Sequence, residues 1–219
     1  MAIAFFDFDR TLIAANTANL WLKSLWRQGQ LTPLQALGTL GWLVCYNLGF
    51  VPMESGLMRA LSYLKGMSEE EFRAQVLLFY NAHVSSFYRK KALQAIEQHR
   101  LAGDKVVLLT SSIHHLSDLV VDQLKLDYGI STILDIDPEG KYTGKSVGPI
   151  CFGRGKVNAA TNYAAKFGVN LAECTFYSDS MSDLPMLEAV GHPVAVSPDP
   201  RLKRRAELNK WQIVDWDCV

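Results

Sequence analysis

The sequence predicts an α/β fold, a parallel sheet with helices on both faces and a helical cap inserted after the first strand. Three observations predict it. Ile3 to Phe8 is a short apolar run ending in acidic residues, the pattern of a buried parallel strand reaching a loop. The next comparable strand arrives only at 105–110, and the pattern between the two is helical. From about residue 88 onward helix and strand alternate, which calls for parallel strands joined by crossover helices. The core is therefore expected from residues 1–13 and 87–219 together, with the cap over 14–86. A chain of 219 residues is long enough for one domain carrying such an insertion.

Within the insertion, helical periodicity covers 19–27, 33–50 and 54–64. Ser68 followed by Glu71 has the capping-box spacing, and starts a further helix running to about Phe87. A helix over 89–101 ends at Gly103, strand 105–110 follows, then a helix over 114–125 and a strand near 131–136. Asp137-Pro138-Glu139-Gly140 makes a turn into a short partner strand at Tyr142-Thr143. A helix over 155–167 ends at Gly168, and strands follow at 174–178, 193–196 and 211–215. The insertion leaves from the C-terminal end of strand one, where open α/β sheets bind ligands, so it is expected to cap the site. There is no internal repeat and no low-complexity tract.

Composition excludes several classes of function. The 22 Lys and Arg residues balance 22 Asp and Glu, leaving no basic field to gather phosphates, so no nucleic-acid partner is expected. An apolar fraction of 49% supports a real core and excludes disorder. Cys45, Cys151, Cys174 and Cys218 are far apart with no CxxC pair, and read as reduced thiols rather than a zinc site or disulfide frame. The N-terminus has no basic region, and Asp7 and Asp9 interrupt any apolar segment, so no signal peptide is expected and the cytoplasm is the default location. One oddity is the run Gln28–Met53, 26 residues without a charge. Its densest part, 34–51, contains Gln35, Gly38, Thr39, Gly41, Asn47 and Gly49 between Pro33 and Pro52, which argues against a stable membrane span. Three readings stay open for it: a buried cap helix or hairpin, an apolar face for an acyl or prenyl phosphate or a membrane surface, and a homodimer contact.

Three clusters that carry chemistry fall at predicted strand ends. Asp7-Phe8-Asp9-Arg10-Thr11 follows strand one and places two carboxylates where both can face one mouth. Thr110-Ser111-Ser112 closes the second strand with hydroxyls and amides at the start of a helix, an arrangement suited to an anionic phosphate. Asp179-Ser180-Met181-Ser182-Asp183 closes strand 174–178, and Lys156, opening the helix between, can bring a cation to the same rim. Singly, each has a plain structural reading: turn residues, N-caps, a solvated lysine, and a helix start at Asp183 with Pro185 in its first turn. Jointly, they offer carboxylates for a hard cation and hydroxyls with a lysine for a phosphate.

This set resembles the haloacid dehalogenase superfamily of phosphohydrolases. Asp7-Phe-Asp9-Arg-Thr11 is similar to its DxDxT signature, Thr110 to its second motif, Lys156 to its third and Asp179–Asp183 to its fourth, DxxxD. Tyr142-Thr-Gly144, Gly153-Arg-Gly-Lys156 and Phe176-Tyr-Ser-Asp-Ser180 look most like the phosphoserine-phosphatase-like branch (subfamily IB), and closest to bacterial relatives of which some act on histidinol phosphate. The resemblance implies a Rossmann-like core and a Mg²⁺-dependent phosphatase acting on a small-molecule phosphomonoester. It implies Asp7 as nucleophile, forming an aspartyl-phosphate, and Asp9 as the acid and base. Mg²⁺ would be held by Asp7, the Asp9 carbonyl and Asp179, with Asp183 in support. Thr110, Ser111, Arg10 and Lys156 would bind the phosphate, Thr110 and Lys156 taking the charge that builds on it. The second aspartate favours phosphoryl transfer, since a halide leaving group needs no proton.

Two departures put phosphoserine in doubt as substrate. The glutamate that those phosphatases carry seven residues after the second aspartate is Asn16 here, and their cap arginine falls on Ala60, beside Arg59. Arg10 stands where a small residue is common. His114 and His115 read first as ordinary first-turn helix residues, with catalysis as the alternative. The rival functions are a phosphotransferase or phosphomutase, a phosphatase for a lipid phosphate chosen by the apolar cap, and a non-catalytic phospho-ligand sensor.

Overall fold

The computed structural model describes residues 1–29 and 53–217. The predicted helix over 33–50, almost all of the uncharged run, Cys45 and Cys218 lie outside the described residues. The main sheet has six parallel strands: β1 (Ile3–Phe6), β2 (Lys105–Ile113), β3 (Tyr128–Thr132), β6 (Thr175–Ser178), β7 (His192–Val196) and β8 (Gln212–Val214). Their order is β3-β2-β1-β6-β7-β8. β1 therefore lies between its partners β2 and β6, and chain order runs outward from it on both sides. In open α/β sheets ligands bind in the crevice at the strands' C-terminal ends where the order reverses, which here is beside β1.

Residues alternate across the sheet with period two. Ala4, Phe6, Val106 and Leu108 join one apolar cluster with α4 (Lys90–Leu101) and α5 (His114–Leu124). Ile3, Phe5, Val107, Leu109 and Phe176 join the other, with α6 (Arg154–Ala165), α7 (Leu184–Ala189) and α8 (Pro200–Asn209). Burying side chains of this size on both faces stabilises each by about 1.5–3 kcal/mol, so β1 has no polar residue until it leaves the sheet.

Between β1 and β2 lie α1 (Thr17–Arg27), α2 (Met53–Ser62) and α3 (Glu69–His83). Phe72, Val76, Phe79 and Tyr80 of α3 belong to the same cluster as Phe6 and Leu108, so apolar burial is continuous from the sheet into the inserted helices. Where the chain leaves and re-enters the sheet layer, Ile13 bridges Tyr88, and the Ala14 amide donates to the Phe87 carbonyl at 2.9 Å. On the far side, Ser68 bridges Lys141, and the amides of Gly66 and Glu69 donate to the carbonyls of Tyr142 (2.8 Å) and Gly140 (2.9 Å).

That second anchor corrects two expectations. The strand predicted near 131–136 is two strands. Thr132 ends β3, while β4 (Leu134–Ile136) turns away to pair antiparallel with β5 (Tyr142–Ser146). Ser68 is the N-cap of α3, yet its side chain makes no capping bond; the first amide of the helix, Glu69, is satisfied from outside by the Gly140 carbonyl. α1 starts at Thr17, two residues earlier than the periodicity suggests, because the Asn16 side chain accepts from the Asn19 amide and caps it. The sequence reading places no helix over 200–209, although Asp199 followed by Pro200 is a strong start signal. Among the described residues no helix is long and apolar enough to cross a membrane.

Candidate active site

β1 delivers Asp7 to the crevice. Its amide donates to the Tyr177 carbonyl at 2.9 Å, prolonging the β1–β6 pairing by one residue, and its side chain is buried. The chain then closes a wide turn over Phe8–Leu12, with the Ile13 amide reaching the Phe8 carbonyl at 3.2 Å. Arg10 occupies the left-handed region of that turn (φ 56°), a conformation costing a non-glycine residue on the order of 1–2 kcal/mol. Its side chain is exposed. Such a turn separates the two aspartates: Asp7 stays with the sheet, while Asp9 swings to the inserted helices. The Asp9 carboxylate accepts from the Thr17 amide at 2.6 Å and from the Thr17 hydroxyl at 3.1 Å, on the first turn of α1.

Lys156 enters from α6. Gly155 lets the first turn of α6 approach the preceding loop, since a Cβ there would lie 2.2 Å from the Ile150 carbonyl oxygen. The lysine is 1% exposed. Its Nζ donates to Asp7 Oδ1 at 2.7 Å and to Asp183 Oδ2 at 2.8 Å, and lies 2.8 Å from Asp183 Oδ1. Asp183 Oδ2 also accepts from the Ser178 hydroxyl at 2.7 Å. Beside them the Asp179 amide donates to the Thr11 hydroxyl oxygen at 3.1 Å, which ties the loop after β6 to the turn after β1. Thr110 is buried near the C-terminal end of β2, and its Oγ1 accepts from the Ser112 amide at 3.1 Å, leaving its own proton free to donate. Here the geometry differs from expectation. β2 runs on to Ile113 and α5 begins only at His114, so Thr110, Ser111 and Ser112 sit on a strand end and not on a helix N-terminus.

Burial and crowding set the electrostatics. Burial pushes the Asp7 carboxyl well above its ordinary range, Asp183 and Asp179 push it further, and Lys156 opposes them. Burial also raises Asp9, against the hydrogen bonds from Thr17. Asp179 is raised to about 7 by burial first and Asp183 second, with Arg10 pulling it down. Burial disfavours the Lys156 ammonium, but Asp183 and Asp7 outweigh it and hold the proton more tightly than in an ordinary lysine.

Among the described residues no three carboxylate, imidazole or thiolate side chains gather at ligating distance. Asp183 is engaged by Lys156 and Ser178, and the Asp9 carboxylate by Thr17. That leaves the Asp7 and Asp179 carboxylates, close enough for Asp179 to raise the Asp7 carboxyl, as the side chains a divalent cation could take, with main-chain oxygens and water to complete it. Two carboxylates completed by other oxygens and water are what Mg²⁺ commonly takes. The excess of carboxylates over the one buried ammonium, and the Asp183 Oδ1 atom left without a well-formed hydrogen bond, fit a site that receives further positive charge.

Of the residues singled out from sequence, Asp7, Lys156 and Asp183 form one bonded cluster, with Asp179 beside it. Thr110 and Ser111 lie on β2, the strand next to β1. His114 and His115 occupy the first turn of α5. His114 Nδ1 accepts from the Leu134 amide at 3.2 Å, and His115 Nε2 lies 3.0 Å from the Tyr142 hydroxyl and 3.4 Å from Glu69 Oε1. Both join α5 to its neighbours, and burial lowers both pKa values. Arg59 is exposed on α2 and donates to the Tyr63 hydroxyl at 3.4 Å. Sequence reasoning missed Thr17 and Ser178. The signal for Thr17 was its place directly after the Asn16 cap, and for Ser178 its place directly before the DxxxD run.

The sequence signature of the haloacid dehalogenase-like hydrolases matches residues 4–188. The chain is 32% identical over 219 residues to a protein of Mycobacterium tuberculosis named phosphoserine phosphatase SerB1, covering 98% of this chain and 71% of that one. It is 28% identical over 222 residues to a histidinol-phosphatase of Neisseria meningitidis serogroup C, covering 98% of each. Among solved structures, a protein of unknown function from Bordetella pertussis Tohama I superposes with a TM-score of 0.88 at 28% identity, again over 98% of both chains.

Proposed function

Because the chain belongs to the haloacid dehalogenase-like hydrolase family, we propose that it hydrolyses a small phosphomonoester, with Asp7 as the nucleophile and Asp9 as the acid and base. One observation carries the reading: the Asp7 carboxylate, at the end of β1, is bonded at 2.7 Å to a buried lysine that is itself held by Asp183. An Asp7 oxygen attacks phosphorus and the ester P–O bond breaks. Asp9, whose carboxyl burial keeps above its ordinary range, gives its proton to the departing alkoxide. The resulting carboxylate takes a proton from water, which attacks the aspartyl-phosphate and frees phosphate and Asp7. Lys156 and the Thr110 hydroxyl hold the phosphoryl oxygens, with Ser111 at the same strand end and Arg10 at the rim. The Asp7 and Asp179 carboxylates and the Asp9 carbonyl would hold Mg²⁺, which would supply positive charge to screen the phosphate from the attacking carboxylate.

In this reading the inserted segment 14–86 covers the crevice and selects the substrate. Relatives named phosphoserine phosphatase and histidinol-phosphatase point to an amino-acid-like phosphate ester. Asn16 caps α1 and Ala60 is exposed on α2, so neither supplies a charge to read phosphoserine; the missing cation at Ala60 favours an ester without a carboxylate, as histidinol phosphate is. The test is phosphate release from p-nitrophenyl phosphate and then from phosphoserine and histidinol phosphate. Turnover should require Mg²⁺ and vanish in Asp7→Asn; turnover persisting in that variant refutes the assignment.

A further inference from the structure

We propose that Asp199, outside every motif of the site, is a positioning residue that holds the loop Asp179–Met181 in its cation-binding shape. The inference rests on the catalytic reading above. Asp199 is the N-cap of α8, and its Oδ1 does ordinary capping work, accepting from the Arg201 amide at 2.8 Å and the Leu202 amide at 2.9 Å. Its Oδ2 takes no part in the cap. It accepts instead from the Met181 amide at 2.7 Å, across 18 residues of chain. The Asp199 amide in turn donates to the Asp179 carbonyl at 2.8 Å. One residue thus grips the loop at two points, a carbonyl at 179 and an amide at 181.

With the Thr11 hydroxyl on the Asp179 amide, the main chain of Asp179 is fixed at both its donor and its acceptor. Only its side-chain torsions remain free. Fixing a ligand's main chain in advance removes ordering that cation binding would otherwise have to supply, the way outer partners tune metal sites. The residue type agrees. A helix cap alone is served equally by Asn or Ser, but two acceptors serving two different elements require a carboxylate.

Asp199→Asn separates the two duties. Its carbonyl can still cap α8, while its amide presents a donor to the Met181 donor. Asp199→Ser also caps but is too short to reach Met181. Titration calorimetry of the metal-free full-length variants with MgCl₂ at pH 7.5 should show Mg²⁺ dissociation constants raised about tenfold or more. Their metal-free melting temperatures should stay within about 3 °C of the parent, the cap being kept. Mg²⁺ affinity within twofold of the parent in either variant overturns the role of Asp199 and leaves the catalytic reading standing. Affinity that falls only together with the metal-free melting temperature assigns Asp199 to the helix cap alone and equally overturns it. A parent protein that takes up no Mg²⁺ sinks the cation reading itself.

Discussion

Lys156→Met removes an ammonium while keeping the length and most of the volume of the side chain. In the parent, that ammonium is 1% exposed, 2.7 Å from Asp7 and 2.8 Å from Asp183. Two charge-assisted hydrogen bonds at about 1.5–3 kcal/mol each bound the loss from above. Breaking a buried pair from one side typically costs about 3–5 kcal/mol, because the remaining charge stays buried without a partner. Methionine's apolar body offsets little, since the sites that need a partner are carboxylate oxygens. For a chain of this length each kcal/mol moves the midpoint by about 2–4 °C, so the metal-free variant should melt roughly 6–20 °C lower at pH 7.5. The deficit should shrink at pH 5. Asp7 already lies well above its ordinary range through burial, and without Lys156 it rises further, so in the folded variant it holds a proton that the unfolded chain releases. A folded state that binds more protons gains stability as pH falls, which refunds part of the lost ammonium. Thermal unfolding followed by circular dichroism in EDTA at the two pH values measures both effects. A penalty below about 1 kcal/mol, or one equal at both pH values, would refute the claim that this ammonium neutralises buried carboxylates.

Three further outcomes follow from the same geometry. The Asp179 carboxyl, raised to about 7, must lose its proton to ligate a cation, so the Mg²⁺-induced rise in melting temperature should be larger at pH 8 than at pH 6; equal shifts would remove Asp179 from the ligand set. In Thr17→Val the 3.1 Å hydroxyl bond to Asp9 is lost and the Asp9 carboxyl rises, so the alkaline limb of kcat/KM, where the acid must keep its proton, should move to higher pH, whereas an unmoved limb would detach Asp9 from it. Gly155→Ala would place a Cβ 2.2 Å from the Ile150 carbonyl oxygen, forcing backbone apart directly beside Lys156. It should cost about 1–3 kcal/mol and reduce phosphate release, and a variant with parental melting temperature and turnover would contradict the close approach.

Lys156 apart, which opens a helix, the site residues legible from sequence share one property: each sits at or just past a strand end that apolar runs announce, as Asp7 does after Ile3–Phe6 and Asp179 after Thr175–Ser178. Residues that act on those residues were not legible, because their partners are remote in sequence. Asp199 reaches Met181 and the Asp179 carbonyl only once β7 has brought the end of its strand beside β6. The split of 131–136 into β3 and β4 escaped for a similar reason. Both halves are apolar and strand-like, and only pairing with Tyr142–Ser146 pulls Leu134 out of the main sheet. The left-handed Arg10 left no signal in composition either, since its conformation follows from closing the turn back onto Ala15.

The two aspartates of the first motif are one residue apart, yet they answer to different parts of the molecule. Asp7 is fixed by the sheet, through the Tyr177 carbonyl, and by Lys156, and among the described residues no hydrogen bond ties it to the inserted helices. Asp9 is fixed by α1, through both polar groups of Thr17. The left-handed turn at Arg10 makes this division possible, for an extended chain through that position would carry Asp9 away from the N-terminus of α1. A neutral chain therefore concentrates its carboxylates where two bodies of structure meet. Under the proposed mechanism the geometry of Asp7 should survive changes to the insertion, while that of Asp9 should not, and kcat should respond to substitutions in α1 even where none of them touches the phosphate.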